Sequence, residues 1–377
     1  MEISYITSYD SKDVHKWSGL GYYIAKGLEA QNNNLDYISI IKPRTPIAIL
    51  KKIFYKSLGK GFLFDRIPSE SKIFADEAKK KIKQNTDIVF SPGSTIFSYL
   101  ETNKPKVFYT DATFAGMIDF YKSFTNLSRE TIENGTMLEK TALNNCDLAI
   151  YSSDWAAQSA IDNYGINPQK VKVVPFGANI DSDRNLNDIK TIVSKKNYYT
   201  CNLLFVGVEW ERKGGPLALD VTKRLNEMGL KTTLHVVGLP KLPLKNIPPY
   251  VVNHGFVSKG NAEGKQRLDN LFTNAHFLIV PSLAEAYGLV FCEAGSFGLP
   301  AISTNVGGIP TIVKNNINGQ LFDLGTPAVK YSDYIYNTLN NPQVYQELCI
   351  SSFNRYEQEL TWNSAGKKLT ALLDDVR

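Results

Sequence analysis

Cysteine and histidine are scarce in this chain. Each occurs four times in 377 residues. Cys146, Cys201, Cys292 and Cys349 are far apart and form no CxxC pair, so neither a zinc site nor a disulfide framework is indicated. Cys292 falls inside a helical stretch and reads as a small buried apolar residue. A reducing, cytoplasmic setting is expected. There is no HExxH pair and no aspartate cluster, so no metal is expected. There is no GxSxG elbow of the hydrolase type. His235, His254 and His276 fall in or beside strands and read as structural, whereas His15 sits in a polar loop and is left open. No apolar run approaches the roughly 18 residues of a membrane span. Met1-Glu-Ile-Ser-Tyr-Ile-Thr7 starts as a strand without a basic leader, so no signal peptide is expected. Internal repeats and low-complexity tracts are also missing.

What is present describes an ordinary globular protein of two domains. Hydrophobic residues make up 43% and charged residues 21%, and the length exceeds one typical core. The net charge of +5 is unevenly placed. Residues 42–66 hold seven basic residues (Lys42, Arg44, Lys51, Lys52, Lys56, Lys60, Arg66) against one acid, Asp65. One reading is a solvated helix face. The other is a peripheral contact with anionic lipid at the inner face of the membrane, because Ile47, Ile49, Leu50, Ile53, Phe54 and Leu58 can share an apolar face. Nucleic acid is not expected, since aromatics and bases do not alternate in a recognisable module.

Short apolar runs alternate with helical patterns in both halves. In the first half, Ile3–Thr7, Asp87–Phe90, Lys106–Thr110, Asp147–Tyr151 and Val171–Val174 read as strands. In the second, the runs are Asn202–Val206, Thr232–Val237, Val251–Phe256, His276–Val280 and Ala301–Thr304. This predicts an α/β protein with mostly parallel sheets covered on both faces. The polar stretch 181–197 reads as linker with some helix. The expected organisation is a Rossmann-like domain over 1–180, a second over 181–360, and a final helix over 361–377 that crosses back to the first. Ligand sites are expected beyond the carboxyl ends of the strands, in a cleft between the two doubly wound units.

The most informative stretch is Pro281-Ser-Leu-Ala-Glu285-Ala-Tyr-Gly288-Leu-Val-Phe-Cys-Glu293. Two carboxylates stand eight positions apart, and Gly288 turns the chain between them. A buried strand precedes the turn, and a helix over Leu289–Phe297 is expected to follow it. The helix start offers backbone N–H groups to an anion. A phosphate flanked by carboxylates that accept sugar hydroxyls is what a nucleotide sugar requires.

Other loops follow strands. Gly207-Val-Glu-Trp-Glu-Arg212-Lys213-Gly-Gly215 places two cations where a diphosphate would be held. Gly19-Leu-Gly21 lacks the third glycine of a dinucleotide fingerprint, because Ile24 stands there; it is either a flexible turn or a close approach to phosphate. Asp111 either accepts a hydroxyl or caps the next helix. Thr304-Asn-Val-Gly307-Gly308-Ile-Pro310 either lets backbone approach a ligand or simply turns.

With these residues in place, nearly the whole chain resembles the retaining glycosyltransferases of family 4, which have the GT-B fold. Glu285-x7-Glu293 with its flanks, Gly307-Gly308-Ile-Pro310, Gly207 with Arg212-Lys213-Gly214-Gly215, and Tyr164-Gly-Ile-Asn-Pro with Val171–Pro175 carry the likeness. The resemblance implies two Rossmann-like domains facing a central cleft. It implies a metal-independent hexosyltransferase-type enzyme of carbohydrate biosynthesis that needs no cofactor beyond its donor substrate. Glu293 would bind the ribose of a nucleoside diphosphate sugar, and Glu285 the donor sugar. Gly288, Leu289 and Val290, with Arg212 and Lys213, would hold the diphosphate. Val257, beside Phe256, would lie near the base, and Gly19 and Gly21 would approach the donor. The acceptor, whether a carbohydrate, a lipid-linked molecule or a small molecule, is not specified. Asp111, Thr311 and Phe176 stand where many members carry His, Glu and Asn. The competing functional readings are a sugar-nucleotide epimerase or hydrolase on the same fold, and a dinucleotide-dependent oxidoreductase.

Overall fold

A computed structural model describes residues 1–41, 44–180 and 182–377. Lys42, part of the basic segment, lies outside the described residues, as does Asp181 at the expected domain boundary. The chain divides into two compact units. One holds Met1–Asn179 with Trp362–Arg377, and the other holds Ile180–Thr361.

The first unit contains strands β1 (Glu2–Thr7), β2 (Asn34–Ser39), β3 (Ile88–Ser91), β4 (Lys106–Thr110), β5 (Leu148–Tyr151) and β6 (Val171–Val173). Its helices are α1 (Leu20–Glu29), α2 (Pro46–Ser57), α3 (Pro68–Lys81), α4 (Phe114–Met117), α5 (Arg129–Asn145) and α6 (Asp154–Tyr164). The six strands are all parallel, in the order β2-β1-β3-β4-β5-β6. Every residue of β3 and β5 is buried. Helices on both faces of a parallel sheet require such continuous apolar runs. Ser128 and Ser153 cap α5 and α6 by accepting the backbone N–H of Thr131 and Ala156, which supplies partners for otherwise orphaned donors.

The second unit contains α7 (Leu186–Ser194), β7 (Thr200–Val206), α8 (Gly215–Glu227), β8 (Lys231–Val237), β9 (Val251–Asn253), α9 (Ala262–Asn274) and β10 (Phe277–Ile279). After these come α10 (Leu289–Gly295), β11 (Ala301–Thr304), α11 (Ile309–Ile312), β12 (Gly319–Phe322), α12 (Ala328–Leu339) and α13 (Pro342–Glu359). Its sheet is again all parallel, in the order β12-β11-β10-β7-β8-β9.

The last helix, α14 (Trp362–Asp374), belongs to the first unit. Gly366 lies so close to α1 that a Cβ there would come within 2.1 Å of the Gly27 carbonyl oxygen. The Trp362 indole N–H donates to Asn179 Oδ1 at 2.9 Å, and its ring packs on Phe176. Phe176 also meets Tyr109 and Trp17 edge-on. The aromatic that departs from the family pattern is therefore a core residue of the first unit.

Two local expectations need correction. The helix after Gly288 stops at Gly295 rather than Phe297. Phe297 leaves the helix to stack on Phe272, with ring centroids 4.9 Å apart, and Gly298 turns at φ 60°. Strand β9 is three residues long, not six. The outward face of α2 holds the six apolar residues of the second reading of residues 42–66, as described below. Among the described residues no helix is long and apolar enough to cross a membrane.

Candidate functional site

The order of the second sheet decides where its site lies. From β7 the chain moves outward through β8 to β9, then returns to place β10 on the other side of β7. The loops leaving β7 and β10 therefore part at the topological switch point, where a doubly wound sheet opens a crevice. Those two loops carry Arg212-Lys213 and Glu285.

The structure brings these three side chains together. Lys213 Nζ is ion-paired with Glu285 Oε2. Arg212 Nη1 lies 3.7 Å from the same oxygen and donates to the Ala284 carbonyl at 2.7 Å. Glu209 grips Arg212 from the outer side, accepting from Nε at 2.9 Å and from Nη2 at 3.2 Å. Backbone joins the loops as well, since Leu283 N–H donates to Arg212 O at 2.7 Å. Glu285 O accepts from Gly308 N–H at 3.0 Å, which ties in the Gly307-Gly308 turn after β11. The side chains of Lys213 and Glu285 are only 12% and 10% exposed, so this ion pair is largely removed from water.

Glycine makes the approach of the two loops sterically feasible. Gly214 has φ +75°, and a Cβ there would lie 1.9 Å from the Pro281 carbonyl oxygen. Gly288 has φ +101°, and a Cβ there would strike the Phe291 ring at 2.7 Å. The turn between the two glutamates thus needs glycine for its conformation and for its packing. Leu289 and Val290 form the first turn of α10 and Glu293 its fifth position.

Glu293 is buried and paired with Lys259, a residue that sequence reasoning missed. Lys259 follows Phe256 and Val257 in the loop after β9, so the ion pair draws that loop toward α10. Phe256 itself is exposed. The signal in the sequence was a lone lysine in Ser258-Lys-Gly-Asn261, which nothing distinguishes from a solvated turn. Ser282, fully buried in the loop that follows β10, has a hydroxyl without a hydrogen-bond partner; it too went unread.

In the first unit, Gly19 starts α1 at φ +82°, and Gly21 lies against Tyr9, whose Oη would be 2.4 Å from a Cβ there. Gly21 O accepts from Tyr5 Oη at 2.7 Å. The capping alternative for Asp111 does not hold, because Thr113 caps α4 by accepting Gly116 N–H at 3.0 Å. Asp111 instead faces Tyr9, whose phenol is pushed well above its ordinary pKa, first by burial and then by this carboxylate. A third polar group, in the first unit, carried no signal in the sequence. Buried Glu139 accepts from Ser94 Oγ at 2.9 Å and lies 3.7 Å from Arg66 Nη1. Burial raises its pKa, and Arg66 opposes that shift.

At the opposite end of the same central strands, where β7 and β10 begin, the chemistry is different. There a recess is lined by Lys196, Asn202, Thr273 and His276. His276 Nδ1 accepts Asn202 N–H at 2.9 Å, and its Nε2 lies 3.0 Å from Asn197 O, which fixes a neutral tautomer with the proton on Nε2. Burial, assisted by Lys196, lowers its pKa to about 4. The unfolded chain protonates this ring near its ordinary value of about 6.5, while the folded chain does not. Stability therefore falls as pH falls from about 6.5 to about 4, by roughly 3 kcal/mol in all. Chemical denaturation at pH 7 and pH 4.5 checks this, and His276→Gln is expected to flatten the slope in that window.

Comparison with known proteins adds a class and then particular relatives. Residues 200–341 match the sequence model of the family described as Glycosyl transferases group 1. That span includes Arg212, Lys213, Glu285 and Glu293. The D-inositol 3-phosphate glycosyltransferase of Corynebacterium diphtheriae is 23% identical over 261 residues, 66% of this chain and 60% of that protein. The match to such curated relatives thus spans about 60% of their length. Two solved structures align with the whole fold. HepE from Anabaena, in complex with UDP and glucose, has a TM-score of 0.62 at 14% identity and 99% coverage of both chains. The lipopolysaccharide outer core galactosyltransferase WaaB has a TM-score of 0.65 at 14% identity and 100% coverage of both. The fold is that of the GT-B glycosyltransferases, α/β with two Rossmann-like units.

Proposed function

We propose that this protein is a retaining glycosyltransferase that moves a sugar from a nucleoside diphosphate sugar to an acceptor hydroxyl without a metal. The observation that carries the reading is the convergence of Arg212, Lys213 and Glu285 at the switch point of the second sheet. Two cations held in a largely dry place suit a diphosphate, and a neighbouring carboxylate suits sugar hydroxyls. The group 1 match over residues 200–341 supports the same class. The UDP and glucose held by the similarly folded HepE support a nucleotide sugar as donor.

In the proposed reaction, the bond between the anomeric carbon and the diphosphate oxygen breaks and its electron pair leaves with the phosphate. Arg212 and Lys213 stabilise that growing charge. The acceptor oxygen bonds to the anomeric carbon, and its proton passes to the departing phosphate. Glu285 orients the sugar and Glu293 takes the ribose, with Lys259 beside it. Gly288, Leu289 and Val290 approach the phosphates and Val257 the base. Gly19 and Gly21 approach the donor, as the family resemblance implies, and Asp111 accepts a hydroxyl of the acceptor or of the donor sugar.

A thermal-shift screen of UDP-, GDP- and ADP-sugars tests this reading. At a donor concentration of 100 Kd the matching donor is expected to add about 2.7 kcal/mol of stability. No shift with any of them would count against the proposal. Steady turnover of the donor without an acceptor would point to a hydrolase or epimerase instead.

A further inference from the structure

Helix α2 is turned the wrong way round for a helix on a water-facing surface. Its only buried residue is Ala48, which packs with Phe62 and Ile67. Ile47, Ile49, Leu50, Ile53, Phe54 and Leu58 are all between 46% and 68% exposed. At about 100° per residue these six cover a continuous arc of roughly 180°. Lone exposed apolar residues are common, but a contiguous outward stripe marks an interaction surface.

The stripe is held in place rather than loosely displayed. Lys51 and Tyr55, on the inner side of α2, both bond to Glu130 on α5, the Tyr55 hydroxyl at 2.9 Å. Tyr55 stacks on Phe62, with ring centroids 5.3 Å apart. Cations border the stripe. Lys52 Nζ and the Arg44 guanidinium sit over the Phe64 ring at 4.6 Å and 5.2 Å from its centroid. Five basic residues and no acidic one lie between Arg44 and Lys60.

We infer that α2 docks the first unit on an anionic phospholipid surface, with its apolar arc among the acyl chains and its cations at the headgroups. Such a helix lies in the interface and does not span the bilayer. Charge decides between this occupant and a second copy of the chain. Two copies meeting symmetrically through α2 would bring the same basic rims face to face, whereas an anionic bilayer neutralises them. The inference makes no assumption about the reaction catalysed.

Sedimentation with vesicles tests it. The full chain is expected to pellet with vesicles holding about 30 mol % phosphatidylglycerol at low salt and to pellet far less with neutral phosphatidylcholine. Ile47→Ser/Leu50→Ser/Phe54→Ser is expected to weaken partitioning about 100-fold or more. Lys52→Gln/Lys56→Gln is expected to weaken it about tenfold on anionic vesicles and to leave neutral ones unaffected. The lysine pair carries the test if the triple variant fails to fold. Absence of pelleting at low salt, or unchanged pelleting of a folded triple variant, overturns the inference. So does a wild-type dimer that the triple substitution converts to monomer, since the face would then be a self-association surface.

Discussion

Replacing Lys213 with methionine is expected to slow sugar transfer by about 10²–10³-fold and to cost about 3–5 kcal/mol of folding stability. The two effects have separate origins. The rate falls because a fixed positive charge is removed from the departing diphosphate. Stability falls because Glu285, only 10% exposed at its side chain, loses the partner that offsets its desolvation. Arg212 does not substitute for Lys213, since its Nη1 stays 3.7 Å from the carboxylate and its other nitrogens are committed to Glu209. The double variant Lys213→Met/Glu285→Gln separates the effects. It removes both charges, so most of the stability is expected to return while the rate stays low. Recovery of rate along with stability would show that Lys213 is a structural residue only.

Gly214→Ala is expected to cost about 3 kcal/mol or more, as the sum of a left-handed backbone penalty and an overlap. The overlap is with the backbone of Pro281, 1.9 Å from the added methyl group, so no side-chain rotation relieves it. The loops after β7 and β10 would have to separate, and the Lys213–Glu285 pair would open with them. Gly229 provides the control. Its φ is +88°, and nothing lies within 4 Å of a Cβ there. Gly229→Ala should therefore cost only about 1–2 kcal/mol, the conformational part. Urea denaturation of both variants checks the difference. Equal losses would show that the loop contact contributes nothing.

Much of this was legible in the sequence because of how parallel sheets are built. Strands such as Ile88–Ser91 and Phe277–Ile279 are buried along their whole length, so their apolar runs stand out. The edge strand β2, Asn34–Ser39, is mostly half-exposed and gave no such signal. The loops with candidate chemistry were found because each follows a readable strand. Their side-chain partners were not found, because Lys213 and Glu285 are 72 positions apart and Lys259 and Glu293 are 34 apart. Only the strand order juxtaposes them. Helix α2 shows another limit. Amphipathicity reveals that a helix has an apolar side but not which side meets the core, and here Glu130 and Phe62 hold the apolar side outward.

The central claim is that the basic loop and Glu285 form a nucleoside diphosphate sugar site. Isothermal titration of the donor selected by the thermal-shift screen tests it most directly, with the wild-type chain beside a folded Lys213→Met/Glu285→Gln variant. Saturable one-to-one binding to the wild type, weakened tenfold or more in the variant, is the predicted result. Equal affinity for both proteins would contradict it.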